Sequence, residues 1–289
     1  MKFQEDTELL EALSIIFPNS KKNTLRKMLT SGRVKVNNKI VHKAKFIVLK
    51  GDIVTVLDKG KAIKNSPPPN VKKQNHRIKI LFEDEHIIVL NKQAGLLSIS
   101  TDKMEPDTLH SRALDYLKSN HEKSWAYIVH RLDRETSGVM IFAKHKNHKE
   151  YLQEQFANRL VHRIYHALVE GKPEKNSGTI REWLVEDKFL RVKAVNKNHP
   201  KAKEAITHYN VEDHDQYASL IQLTIETGRR HQIRVGLANL NCPVIGDQIH
   251  GATGNPIGRI ALHASSLELL HPESDDPVRF EAPIPFGPE

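Results

Sequence analysis

The sequence predicts an α+β protein in two domains, a small basic one followed by a larger one built on a mixed, mainly antiparallel sheet. Three observations lead there. Charge is segregated along the chain. A proline-rich polar stretch interrupts it near residue 66. Beyond that stretch, strand-like apolar runs dominate, and helices interrupt them without a regular strand–helix–strand rhythm.

The charge pattern comes first. Residues 1–75 hold 16 Lys and Arg against 6 Asp and Glu, whereas the remainder holds 28 against 29. The net +9 of the chain is therefore carried by its first quarter. Residues 20–50 alone contain ten basic side chains and no acid. A solvated face can have this composition. On a folded module it reads as an electrostatic footprint for a polyphosphate.

With 289 residues, 38% apolar and 27% charged, the chain is globular and long enough for a substantial core. No apolar run approaches the ~20 residues of a membrane span, so no membrane partner is expected. Met1–Asp6 lacks the basic-then-apolar pattern of a signal peptide. The single cysteine, Cys242, cannot form an intrachain disulfide, which suits a reducing cytoplasm.

The first domain is read as residues 1–58. Leu9, Leu10, Leu13, Ile16 and Phe17 share one face of a helix over 7–17, which Pro18 and Asn19 end. Leu25, Met28 and Leu29 mark a second helix, ringed by Lys21, Lys22, Arg26 and Lys27 and stopped by Ser31 and Gly32. Residues 33–41 read as a hairpin, because Asn37 and Asn38 tolerate the positive φ of a tight turn. Ile53–Leu57 supplies a last strand. Residues 59–76, with Pro67, Pro68 and Pro69, read as a semi-stiff linker.

The second domain is read as residues 77–289. Strands are expected at 78–81 and 86–92, then an irregular loop from Gly95 to Pro106 and a helix over 108–117. Strands at 126–129 and 139–143 flank a charged loop, and a helix follows over 148–160. Further strands are expected at 163–170, 204–211 and 217–226, a helix at 230–240, and short strands near 260–262 and 266–270 before a proline-rich end. The loop His130–Gly138 packs Arg131, Asp133, Arg134 and Glu135 between two apolar strands. That puts polar groups at the rim of a sheet, where chemistry tends to live. Spacing alone leaves open a merely solvated connection. His162 and His166 sit four apart, but on a strand and without further ligands, so no metal site is expected from them.

Residues 6–58 resemble the S4 RNA-binding domain, through Lys22 to Gly32, Arg33-Val34-Lys35-Val36-Asn37 and Lys50-Gly51-Asp52-Ile53-Val54. The resemblance implies an α-L-type module that holds structured RNA by its backbone, with Lys22, Arg26, Lys27, Arg33 and Lys35 as phosphate-facing candidates. Residues 77–286 resemble the RluA-type pseudouridine synthases. The motifs are Asn91-Lys92, His130 to Gly138, Tyr165 within Arg163–Gly171, Thr227 to Val235, Pro243 to Asp247, and Leu262-His263-Ala264, in the family's order.

That resemblance implies an isomerase that converts uridine in RNA to its C-glycoside. Asp133 would be the catalytic carboxylate, Arg234 the arginine paired with it, and Tyr165 the ring that stacks on the base and takes a proton. Arg131 would enter the RNA where the uridine leaves its stack. Leu262 would pack under the tyrosine. On a helix, Arg230 and Arg234 would share a face while Gln232 points away. The isomerisation needs neither redox change nor hydrolysis, so no cofactor and no metal are expected. RNA, as large-subunit ribosomal RNA, is the implied partner, and a monomer is expected. Gln93, Gly236 and Arg163 depart from the family pattern, where proline, histidine and lysine are usual. Two rivals stay open at this point: a non-catalytic RNA-binding factor, and a hydrolase pairing Asp133 with Glu135.

Overall fold

The computed structural model describes residues 1–30, 32–57, 78–187 and 191–287. The expected linker, 59–76, lies outside them. The chain divides into two compact units, residues 1–76 with 100–106, and residues 77–99 with 107–289.

The first unit opens with a short strand β1 (Thr7–Glu8), helix α1 (Leu9–Ile16) and helix α2 (Lys22–Thr30). Strands β2 (Val34–Val36), β3 (Lys39–Ile40), β4 (Ile47–Val48) and β5 (Val54–Val56) follow. The expected first helix starts two residues late, because Thr7 and Glu8 pair with Val48 and Ile47 instead. The hairpin β2–β3 turns as expected on Asn37 and Asn38, at φ 48° and 66°. The Asn37 side chain also donates to Asp52 at 2.7 Å and accepts from the Ile53 amide at 2.9 Å, tying the turn to the β5 side. The core is Leu9, Ala12, Leu13, Leu25, Leu29, Val34, Val36, Val48 and Val54, all buried.

The second unit is built on one large sheet. Its strands are β6 (Lys79–Glu83), β7 (Ile87–Lys92), β8 (Tyr127–Ile128), β9 (Ser137–Ala143), β10 (His162–Glu170), β11 (Ser177–Glu186), β12 (Val192–Val195), β13 (Lys203–His214), β14 (Ala218–Ile225), β15 (Leu262–Leu270) and β16 (Pro277–Glu281). Helices α3 (Leu109–Asn120), α4 (Lys146–Ala157) and α5 (Gln232–Asn239) intervene in the chain. The strand order is β12-β11-β13-β14-β10-β15-β9-β7-β6, with β16 on β15 and β8 on β9. All of these pairs are antiparallel except β15–β9. The expected mixed, mainly antiparallel sheet is what forms.

Several apolar runs are continuous rather than alternating because both faces of the sheet are covered. In β7, Ile88 and Leu90 join the core that holds Leu109, Ala113 and Leu117 of α3. Ile87 and Val89 join the opposite core, with Leu152 of α4 and Phe280. Thr108 caps α3 through a reciprocal pair of bonds with Ser111.

Four strands depart from expectation. The pieces expected at 260–262 and 266–270 are one strand, β15. Strands β11 and β12 lie where none was expected, and β16 occupies the proline-rich end. Helix α5 starts at Gln232, and His231 before it is left-handed, at φ 52°. Arg230 is therefore off the helix and does not share a face with Arg234; it pairs with Glu186 at 2.6 Å. Gln232 is buried rather than turned away, and it bonds Thr227, Thr207 and the Ile206 carbonyl.

Candidate active site

The loop before β9 is clamped on both sides of Asp133. The Ser98 hydroxyl donates to the Leu132 carbonyl at 2.7 Å and accepts from the Leu132 amide at 3.1 Å. The Arg134 carbonyl accepts from the Lys92 ammonium at 2.9 Å and from the Gly95 amide at 2.9 Å. The Thr136 amide closes the turn on the Asp133 carbonyl at 3.2 Å. The irregular loop after Lys92 is thus a cradle for residues 132–134. Both neighbours of Asp133 are fixed through the backbone, leaving its side chain free to react.

Lys92 is the centre of that cradle. It is fully buried, and its ammonium also donates to the Leu96 carbonyl at 2.7 Å and the Gln93 carbonyl at 3.1 Å. Burial pushes its pKa down to about 7, while Glu135 and Asp133 pull it back up. The family motif contains this lysine, but nothing in the sequence assigned it a role.

Where β9 begins, Gly138 has φ +116°, and a Cβ there would lie 2.1 Å from the Ala264 carbonyl oxygen. Only glycine lets the loop leave so close to β15. Here β9 and β15 make their parallel contact, Ser137 with His263 and Gly138 with Ala264.

The Asp133 carboxylate is a quarter exposed and lies 3.9 Å from His231 Nε2. Among the described residues it makes no hydrogen bond. His231 Nδ1 faces His250 Nε2 at 3.2 Å, so one ring donates to the other. Burial first, and Arg234 second, hold the His231 pKa down to about 4 against the pull of Asp133. At neutral pH it is an uncharged imidazole beside a carboxylate. Burial and Arg234 also lower His250, whereas Asp247 and Asp133 raise it.

Arg234 is buried in α5 and closes its fork on Asp247, with Nε to Oδ2 at 2.6 Å and Nη2 to Oδ1 at 2.7 Å. The expected pairing with Asp133 is therefore not what forms. The reason is burial: Asp247 is fully enclosed and needs a fixed cation, whereas Asp133 keeps contact with solvent. The left-handed Gly246 sets Asp247 in place, since a Cβ there would lie 2.2 Å from the Arg259 carbonyl oxygen. Arg234 still acts electrostatically on His231 and His250, so it borders the same cluster.

Tyr165 is buried on β10 at a β-bulge. Ile164 pairs with Ser266 and Tyr165 with Ala264, leaving Ser265 as the extra residue. Bulges re-aim side chains beside active sites. Burial raises the Tyr165 phenol, Arg163 lowers it, and Asp133 raises it further, so the two groups sense each other. Leu262 lies opposite Ala167, in the same core as Tyr165. The departure at Gly236 is a packing matter, because a Cβ there would press on Ile180 at 3.1 Å. Arg163 is used internally and donates to the Glu226 carbonyl at 3.1 Å.

Arg131 is exposed next to Asp133 and makes no ion pair among the described residues. In the first unit, Lys22 is exposed on α2 and Lys35 half-exposed on β2. Arg26 pairs with Asp102 at 3.1 Å, and Arg33 donates to the Leu57 carbonyl at 2.7 Å. The Lys27 side chain lies outside what the structure describes. The second unit thus brings Asp133, Tyr165 and Arg234 into one neighbourhood, together with Lys92, His231, His250 and Asp247, which received no role from sequence.

Comparison with known proteins assigns both units to known families. The RNA pseudouridylate synthase family matches residues 86–239, and the S4 domain matches residues 9–54. The chain is 33% identical over 266 residues to the RNA pseudouridine synthase YhcT of Bacillus subtilis, covering 91% of this chain and 85% of that one. It is 31% identical over 290 residues to ribosomal large subunit pseudouridine synthase D of Escherichia coli K12, covering 95% and 86%. The fold matches human RNA pseudouridylate synthase domain containing 4, with TM-score 0.61 and 24% identity over 72% of this chain and 88% of that one. Among the described residues, no helix is long and apolar enough to cross a membrane. The chain belongs to the RNA pseudouridylate synthase family and carries an S4 RNA-binding domain.

Proposed function

We propose that this enzyme isomerises a uridine of 23S ribosomal RNA, with Asp133 as the reacting carboxylate. The observation that carries the reading is the clamp around Asp133. A carboxylate with solvent access, and with no hydrogen bond among the described residues, is held on a backbone fixed at both neighbours. The ribosomal substrate rests on the relatedness to ribosomal large subunit pseudouridine synthase D.

In the reaction the N1–C1′ bond of uridine breaks, the uracil turns, and C5 bonds to C1′. The proton on C5 is lost and N1 gains one, so atoms balance without a cofactor. Asp133 acts beside the sugar as nucleophile or proton acceptor. Tyr165 offers the base a flat face, and its phenol relays the C5 proton, giving up its own hydrogen as it takes that one. Arg234, locked on Asp247, supplies fixed positive charge behind His231 and the carboxylate. Arg131 fills the gap that the flipped uridine leaves, by stacking and phosphate contact. Residues 1–58 dock on structured RNA through Lys22, Arg26, Lys27, Arg33 and Lys35, and residues 59–76 tether that module to the catalytic domain, 77–289. The enzyme works as a monomer in the cytoplasm.

Chemical mapping of pseudouridine across total RNA tests this, in cells lacking the gene and complemented with wild type or Asp133→Asn. Wild type restores one or more 23S sites, and Asp133→Asn restores none, a loss of at least about 10³-fold in rate. Restoration by Asp133→Asn would overturn the assignment of the carboxylate. A missing site in another RNA would overturn the ribosomal substrate.

A further inference from the structure

A second cluster of ionisable side chains lies at the far end of the strand that reaches the active site. Strand β7 ends at Lys92, under the Asp133 loop, and His86 directly precedes its first residue. At about 3.3 Å per residue, His86 lies roughly 20 Å from Lys92. Around it stand His148 of α4 and Glu273, in the turn after β15. One ligand-capable atom from each of the three lies within 4.8 Å of the others.

The details favour a ligand over a simple ion pair. Glu273 Oε2 is 3.0 Å from His148 Nε2 and 3.9 Å from His86 Nδ1. The second distance is too long for a hydrogen bond, and His86 Nδ1 is buried with no hydrogen-bond partner among the described residues. Orphaned buried polar atoms are uncommon and call for an explanation. His148 is only 6% exposed, so at least one donor is presented from a fixed, enclosed position. The rings of His145 and His271 wall the cluster, at 5.3 Å from His148 and 5.6 Å from His86. His271 is already engaged by Asp84 at 2.8 Å.

We propose that His86, His148 and Glu273 form a binding site for a divalent cation of the zinc type, with water completing its shell. Two imidazole nitrogens and one carboxylate suit such an ion, whereas calcium and magnesium take oxygen-rich shells. Bonds of about 2.0–2.1 Å in a tetrahedron put neighbouring ligands about 3.3–3.4 Å apart. The two measured separations bracket that value. The ion gives His86 Nδ1 its missing partner and joins the start of β7, helix α4 and the turn after β15. Its role is structural, because it is remote from Asp133 and the isomerisation balances without it. The sequence led to the opposite expectation because His86, His148 and Glu273 are far apart along the chain, and the pair weighed there was His162 and His166. In the fold His166 is held by Ser265 and Glu212.

The test uses the full chain without an affinity tag, stripped with chelator and dialysed, then titrated with ZnCl2 by calorimetry. One zinc per chain binds, with Kd of about 1 μM or tighter, and the thermal midpoint rises by several degrees. Glu273→Gln, at an exposed position that leaves packing intact, and His148→Asn each weaken binding by at least about 10-fold. His199→Ala, on the surface elsewhere, binds as wild type does, and MgCl2 gives no shift. Absence of stoichiometric zinc binding, or unchanged affinity in Glu273→Gln, would overturn the site whatever His148→Asn does to folding.

Discussion

Arg234 and Asp247 form a bidentate ion pair sealed from water, with both carboxylate oxygens within 2.7 Å of the guanidinium. The pair holds the start of α5 against the segment that carries His250, and so fixes both imidazoles near Asp133. Asp247→Ala leaves a buried cation without its partner. Urea unfolding is expected to show a loss of about 3–5 kcal/mol. The double variant Arg234→Met with Asp247→Leu should lose less than Asp247→Ala alone. A loss under about 1 kcal/mol for Asp247→Ala would mean that the pair is solvated.

Lys92 couples stability to pH in a definite direction. Its pKa falls from 10.5 in the open chain to about 7 in the folded protein. Between those values the unfolded chain binds the extra proton, so stability rises with pH. The limiting slope for one proton is about 1.4 kcal/mol per pH unit. Denaturation of wild type and Lys92→Met at pH 7, 8 and 9 (each about one unit apart) checks this. Wild type should gain on the variant at each step, and a gap that stays flat would show that the lysine is not desolvated.

Two glycines with positive φ should respond differently to alanine. At Gly138 the new Cβ meets the Ala264 backbone, whereas at Gly95 nothing lies within 4 Å. Gly95→Ala carries only the strain of its φ, about 1 kcal/mol. Gly138→Ala must also push β9 from β15, so it should cost more than about 3 kcal/mol and displace the Asp133 loop. Thermal melts with parallel activity assays separate the two. Equal costs would show that β15 yields freely.

The basic side chains of the S4 domain should be read by salt. Lys22→Ala and Lys35→Ala each remove one phosphate contact under the proposed docking. Each should lower the slope of log affinity against log salt by about 1 on structured RNA and by about 0.7 on single strands. A weaker affinity with an unchanged slope would assign these lysines to packing.

The sequence carried much of this fold because its strongest signals were local. Asn37-Asn38 could only be a tight turn, and the charged loop at 130–138 had apolar strands on both sides. What it hid were groups whose partners are remote. Strand β15 reads as two pieces because His263, Ser265 and Ser266 look polar, yet all three are buried. His263 is held by Ser137 at 2.8 Å and Ser265 by His166 at 2.7 Å. Strand β11 was missed because its buried residues, Ile180, Leu184 and Val185, do not fall on alternate positions, so no period-2 stripe stands out. Among the proposed site residues, Asp133 and Tyr165 were assigned through the family motifs. The ion pair of Arg234, the cradle of Lys92 and the imidazoles of His231 and His250 are matters of distance, which spacing along a chain does not encode.

The extra residue at Ser265 has one more consequence. Leu262 and Ala264 serve the core around Tyr165, whereas Leu267 and Leu269 serve the opposite one. A strand alternates its faces with each residue, so the count between these pairs decides which leucine enters which core. Ser265 therefore acts like a spacer in a reading frame. Exchanging it for another small residue edits one hydroxyl. Deleting it would throw the rest of the strand out of phase, turning Leu267 and Leu269 toward the wrong side of the sheet.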